Sequence, residues 1–405
     1  MILSGRPIQR LRGPCSSRPR WRLICFAATL APTFSANAGQ WSVESSVSSS
    51  LNSNDNINLA PQSTGTVNSL NLSGSLNASR KVEDMSTVLG LNTTRVAQWG
   101  DSNSSNGGGD RFDGNASLSQ SLTIELNTFS VNAGYSQDFN NNVQTADVAV
   151  APGQRHASTF GASWSHSLTE RLSTSLTVSS QRSWYSQAAP GTINFTNGSW
   201  GGGLNYLLSE IDTLSLDFSS SEYRPDTGGN QSSTEQWTVG ISRQWTEQWS
   251  SSVSVGAYHT SRNLQPSTSG LQYSTSHSFA FDESSSLSFS SSRGEQPSGS
   301  GDVLLNESVS VNASYGFTET MSGALTYNLS NSTGQLGVDA AGVFQGESRQ
   351  RSYGATLSKQ LTPDVSLGLS YLLTQANNVG ASNSAHSNAV SVSLTYNFPT
   401  FTASR

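Results

Sequence analysis

The sequence predicts an all-β protein: a transmembrane, antiparallel, up-and-down β-barrel of about 18 strands, with 16 as the next choice. Three observations lead there. Apolar and polar residues alternate with period two through most of the chain. Short acid-bearing turns recur along it. Longer connections rich in Gly, Asn and Ser alternate with these turns.

The alternation is clearest in six segments. Leu172, Thr174, Leu176 and Val178 interleave with Ser173, Ser175, Thr177 and Ser179, and Phe160, Ala162 and Trp164 interleave with Gly161, Ser163 and Ser165. Trp237, Val239 and Ile241 repeat the arrangement, as does the run Val309, Val311, Ala313, Tyr315, Phe317. Val365, Leu367, Leu369, Tyr371, Leu373 and Val390, Val392, Leu394, Tyr396, Phe398 complete it. Period two sends one residue set to each face of a sheet. Segments of roughly ten residues or more suit tilted strands that cross a bilayer.

The turns read Arg80-Lys-Val-Glu-Asp84, Leu122-Thr-Ile-Glu-Leu126, Leu168-Thr-Glu-Arg-Leu172, Leu208-Ser-Glu-Ile-Asp212 and Trp245-Thr-Glu-Gln-Trp249. They continue as Phe281-Asp-Glu-Ser-Ser285, Phe317-Thr-Glu-Thr-Met321 and Leu361-Thr-Pro-Asp-Val365, at intervals of roughly 36 to 46 residues. Between them lie connections of loop composition: Gly100–Arg111, Asn140–Arg155, Arg224–Ser232, Arg293–Asp302 and Asn331–Glu347. Short turns on one rim and longer loops on the other are the layout of a bacterial outer-membrane barrel. Eight turns give sixteen strands; one more before the first hairpin (Gln40–Ser53) and one after the last loop (Asn388–Phe398) give eighteen and put both termini at the periplasmic rim.

The first 38 residues stand apart. Six arginines precede Leu23, the apolar run Leu23–Phe34 follows, and Ala36-Asn-Ala38 closes the segment. A basic stretch, a short apolar stretch and an Ala-x-Ala box make a secretory signal peptide cleaved after Ala38. The domains are then 1–38, removed, and 39–405, the barrel. Cys15 and Cys25 leave with the signal, so the mature chain forms no disulfide and no thiolate metal site. Fifteen basic side chains remain against 27 acidic ones, a formal charge of −12, which argues against nucleic acid as a partner.

The last strand carries Tyr396-x-Phe398, similar to the terminal aromatic signal that barrel-assembly machinery reads. Here Pro399–Arg405 follows the signal instead of the chain end. At the other end, Trp41-Ser-Val-Glu precedes Asn54-Asp-Asn-Ile-Asn-Leu-Ala-Pro61. A first strand followed by this Asp-Asn-x-x-Leu-Ala-Pro loop resembles the outer-membrane β-barrel porin families associated with exopolysaccharide export and PEP-CTERM systems. The resemblance covers about twenty residues in motif. It implies an outer-membrane role in polysaccharide export or surface assembly, with polysaccharide-export components as partners, and carries over no functional residue.

Chemistry on the chain is sparse. The inward phase of the strands holds Ser, Thr, Asn, Gln and Gly, a wall suited to neutral or saccharide solutes or simply to water. Aromatic residues mark strand ends: Trp245, Trp249, Phe281 and Phe317 by the turns, Trp99, Trp184, Tyr185 and Tyr223 by the loops. They read as interface girdles, with sugar stacking as the other use. The carboxylates Glu125, Glu170, Glu210, Glu247, Glu283, Glu319 and Asp364 sit in separate hairpins and read as solvated turn residues, not as paired catalytic acids. His156, His166, His259, His277 and His386 lack metal-ligand spacing. Asp101, Asp110 and Asp113 offer oxygen ligands to calcium but equally a plain surface loop. No catalytic constellation, metal or cofactor site stands out. The functional expectation is a porin-like conduit, not an enzyme, in the outer membrane of a Gram-negative bacterium. The alternative is a structural or adhesive barrel whose loops bind a partner.

Overall fold

The computed structural model describes residues 39–404 except 58, 60–61, 64, 101–109, 141–152, 187–191, 229, 299–301, 340–341 and 380–382. The predicted cleavage site at Ala36 and Ala38 lies outside the described residues. The strands are β1 (Gln40–Asn54), β2 (Val67–Val82), β3 (Met85–Gly100), β4 (Arg111–Ile124), β5 (Asn127–Asn140) and β6 (Gly153–Ser167). Next come β7 (Leu172–Ser186), β8 (Phe195–Leu207), β9 (Asp212–Pro225), β10 (Ser232–Thr246), β11 (Trp249–Arg262) and β12 (Thr268–Ala280). The series ends with β13 (Ser285–Pro297), β14 (Val303–Thr318), β15 (Met321–Asp339), β16 (Gly342–Thr362), β17 (Val365–Val379) and β18, in two segments, Asn383–Asn397 and Phe401–Ser404.

Each strand pairs antiparallel with the next, and β1 pairs with β18, so the 18 strands close on themselves. Closure matters because hydrocarbon offers no partner to an edge of free N–H and C=O groups. The outward set is the apolar one: Trp237 is 58% exposed, and Val239, Ile241, Leu367, Leu369, Val390, Val392 and Leu394 share its face orientation. A core in the soluble sense hardly exists. The alternate residues face a lumen, which is why a chain only 34% hydrophobic suffices.

All eight predicted turns join strands at one rim, as connections of two or four residues. The residue before the acid organises most of them. Thr169 Oγ1 accepts the N–H groups of Arg171 and Leu172, and Ser209 Oγ accepts those of Ile211 and Asp212. Thr246 and Thr318 act alike, and Thr362, two residues before Asp364, accepts Val365 N–H. At Asp282, hydrogen bonds from Ser284 and Ser285 hold the carboxyl below its usual range. The turn is therefore set by a small hydroxyl or Asp closing a local ring, while the repeated Glu projects from it.

The layout departs from expectation in three places, two of them at the opposite rim and the third at the chain end by the turns. Asn331–Glu347 is not a loop: β15 and β16 pair through it to Asp339↔Gly342. These strands run unbroken to 19 and 21 residues. Arg293–Asp302 is not an external loop either; it is the tip of the β13–β14 hairpin, described below. The chain after Phe398 also continues the wall. Its second β18 segment pairs from Val43↔Phe401 to Gln40↔Ser404, and Phe398 N–H donates to Ser45 O across the break at Pro399.

Candidate functional site

The lumen wall is built from directly opposed hydroxyl pairs. Ser46 and Ser75 lie 2.6 Å apart, Ser179 and Ser199 2.6 Å, Ser252 and Ser276 2.9 Å, Ser286 and Ser314 2.7 Å, and Ser370 and Ser391 2.5 Å. Each pair uses one donor and one acceptor, leaving the remaining lone pairs and protons for water or a solute. Period-two serine on one face produces this ladder without further design.

One hairpin leaves that wall. The β12–β13 ladder stops at Tyr273↔Arg293 and the β14–β15 ladder at Leu305↔Thr333, yet β13 and β14 stay paired to Pro297↔Val303. Released from both neighbours, the tip from Gly294 to Leu305 turns inward. Its alternate residues then meet two surfaces. Glu295 presses on the inner face of β10–β12, while Gln296, Pro297, Ser298 and Leu304 share a cavity of 320 Å³ with Arg155, Gln181 and Phe195 from β6–β8.

The seat of Glu295 is specific. Its carboxylate accepts hydrogen bonds from the hydroxyls of Thr234, Thr260 and Thr268 and from Arg262 Nη2 at 3.3 Å. Arg262 Nε reaches Asp302 Oδ1 at 3.3 Å, and Asn230 Nδ2 donates to Asp302 Oδ2 at 3.2 Å. The three charged side chains are 8%, 5% and 4% exposed for Arg262, Glu295 and Asp302. Buried charges persist only when paired and hydrogen-bonded, and here every one is. Asp302 also caps its own tip by accepting Val303 N–H at 2.8 Å.

An apolar contact completes the seat. Tyr223, Phe195 and Val303 form a buried cluster with Tyr185 packed against it, and Tyr223 Oη donates to Ser298 O at 2.7 Å. Beneath the tip, Tyr258 lies flat over Gly270, where a Cβ would come within 2.5 Å of its hydroxyl. Only glycine leaves that space. Tyr223 and Tyr185, expected at an interface girdle, are thus lumenal packing residues. Their phase explains it: Leu214, Leu216 and Phe218 face outward, and so do Leu176, Val178 and Trp184; each Tyr is one residue out of step.

The remaining sequence candidates fall as follows. Trp245, Trp249, Phe279 and Phe281 stack in series on the outer face by the turns, with centroids 4.8, 5.2 and 6.3 Å apart, and Arg243 caps Trp245 at 4.4 Å. Phe317 packs edge-on to Tyr315, and Phe398 to Tyr396. Trp184 stacks on His156 at 5.4 Å toward the loops. The turn carboxylates stay in separate hairpins. Asp113 pairs with Arg111 at 3.0 Å and Asp110 with Arg95 at 3.5 Å, so these two acids face arginines; Asp101 lies outside the described residues. Sequence reasoning missed Arg262, Glu295 and Asp302.

The chain is an outer-membrane β-barrel by its own closed ladder, apolar exterior and polar lumen. No family model matches it, and no curated protein does. Among solved structures it is similar to OccAB2 of Acinetobacter baumannii, at 13% identity, covering 88% of this chain and 98% of that one, with a TM-score of 0.49. It is also similar to the outer membrane protein OpdK of Pseudomonas aeruginosa, at 10% identity, covering 89% and 99%, with a TM-score of 0.49.

Proposed function

We propose that the barrel is a porin-like conduit for neutral solutes of saccharide type, narrowed by the β13–β14 tip and serving polysaccharide export or uptake of its building blocks. The carrying observation is the wall of opposed serine pairs, which offers hydroxyl-to-hydroxyl exchange along the lumen. In planar bilayers the folded protein is expected to give discrete conductance steps that a neutral oligosaccharide reduces. A folded barrel without conductance overturns the conduit. The link to export rests on the Asp55-Asn56 loop resemblance; genes of export systems beside this one would support it, and their consistent absence would remove it.

A second reading has its own observation. The β15–β16 pair outruns the 13 to 16 residues of the other uninterrupted strands and offers a projecting blade for an adhesive contact. Conductance without saccharide effect, with loss of surface attachment on trimming this blade, would favour it.

The signal peptide, recognition of Tyr396 and Phe398 by the assembly machinery, and a lipid-facing role for Trp245, Trp249, Phe281 and Phe317 belong to the same proposal. Trp249 touches both Trp245 and Phe279. Each aromatic pair contributes about 0.5–1.5 kcal/mol, so Trp249→Ala is expected to cost roughly 1–3 kcal/mol in urea unfolding from lipid vesicles. An unchanged midpoint would deny the girdle role.

A further inference from the structure

The lumen's charges are unevenly matched. Among the described residues, the inward phase of the wall and the docked tip carry six carboxylates, Glu44, Asp113, Asp138, Asp217, Glu295 and Asp302. They face four cations, Lys81, Arg111, Arg155 and Arg262, and at the base of the tip Arg293, paired with Glu307 at 3.2 Å, adds one charge of each sign. Every arginine is already held by acids. Arg111 meets Asp113 at 3.0 Å, Arg155 grips Asp138 through Nε at 3.1 Å and Nη2 at 2.9 Å, and Arg262 bridges Glu295 and Asp302. Lys81 stands at the turn-side mouth, beside Glu83 and Asp84 of its own turn.

Asp217 is different. It lies on β9, opposite Gly203 and Thr238, and extends over Gly203, where a Cβ would meet its Oδ1 at 2.4 Å. Thr238 also lines the 270 Å³ cavity under the inward tip, with Gln272, Glu295, Gln296 and Arg293, the last held by Glu307. A solute that clears the tip therefore passes next to an exposed carboxylate, and no described lumenal arginine is left over to receive an anion. A narrow, low-dielectric channel focuses such a field, and the Debye length of about 8–10 Å at physiological salt spans much of a narrowed lumen.

We infer that this conduit discriminates by charge: it passes neutral and cationic solutes and rejects anions, with Asp217 as the specificity-determining residue. The inference rests on the conduit reading and adds the charge class. It is tested by the reversal potential of the reconstituted barrel under a KCl gradient. Wild type is expected to favour potassium over chloride several-fold. Asp217→Asn should reduce the ratio by about a factor of two, and Asp217→Lys should bring it below one. Both substitutions point into open lumen, and heat-modifiable migration on gels reports that the variants fold. A wild-type ratio at or below one, or a ratio that ignores both variants, overturns the charge inference while leaving the conduit standing. Absence of conductance overturns the conduit instead, and the inference falls with it.

Discussion

Arg262→Ala is expected to raise single-channel conductance by releasing the β13–β14 tip into a mobile state. Without the guanidinium, Glu295 and Asp302 stay buried without their shared cation. Removing one partner from a buried ion pair costs about 3–5 kcal/mol. At about 1.4 kcal/mol per decade, that shifts the docked-to-undocked ratio by roughly two to three and a half orders of magnitude. The threonine hydroxyls on Glu295 and Asn230 on Asp302 remain, but they are then left to hold two buried like charges with no cation between them. The Tyr223–Ser298 hydrogen bond supplies about 1 kcal/mol, and the Phe195–Tyr223 contact, at 5.2 Å, belongs to the wall and survives undocking. Electrostatics therefore decides where the tip rests.

Two controls separate this from general loosening. Glu295→Gln keeps the shape and an acceptor for the threonines, so it should raise conductance less than Arg262→Ala. The double variant should add little to Arg262→Ala alone, because both changes break one network. Open-channel current that stays at the wild-type level in a folded Arg262→Ala barrel would show that the tip is not held by this pair.

The turns were legible because their chemistry is local: a Thr, Ser or Asp closing a ring over the next two or three N–H groups needs no tertiary partner. The strands were legible because a two-sided wall, lipid outside and water inside, writes period two directly into the chain. The inward tip was not. Gly, Pro and Ser at 294–300 read the same whether a connection bends in or out, and its direction is decided by Thr234, Thr260 and Arg262, more than thirty residues upstream. A signal was present, though. The chain is only 12% charged, so Arg262, Glu295 and Asp302, each close to a strand end at the loop rim, mark a place where charge has to be matched. Tyr223 and Tyr185 likewise announced themselves by falling out of phase with their outward neighbours. Asn331–Glu347 was misread on composition, although Leu336 and Val338 keep the alternation of a strand.

Asp55→Ala is expected to weaken the barrel at its seam, where the ladder is interrupted. β1 and β2 match over 15 residue pairs, whereas β1 meets β18 over nine, then a break, then four. At the loop rim the ladder ends at Asn54↔Ala389, and the Asp55-Asn56 motif takes over. The Asp55 carboxylate accepts Asn388 N–H and Nδ2 at 2.7 Å each, and Asp55 N–H donates to Asn388 O at 3.1 Å. Asn54 Oδ1 accepts the Ser387 hydroxyl at 2.8 Å, and Asn56 Nδ2 donates to His386 O at 2.9 Å. Hydrogen bonds to a charged group contribute about 1.5–3 kcal/mol each, so losing two is expected to cost about 3–6 kcal/mol. In a barrel of this size that lowers the temperature at which the compact gel band is lost by about 5–10 °C. Asp55→Asn retains one acceptor and should show about half the shift. Asn388→Ala removes the Nδ2 bond and keeps the backbone N–H donor, so it should show about half the Asp55→Ala shift, with the double variant no worse than Asp55→Ala, because the two residues hold one clasp. Equal thermal transitions in the wild type and all four variants would deny the clasp and return the motif to the loop's exterior surface. A shift in Asp55→Ala with wild-type conductance would place its role in closure, which explains why the chain puts an Asp-Asn pair at this rim whatever solute the lumen carries.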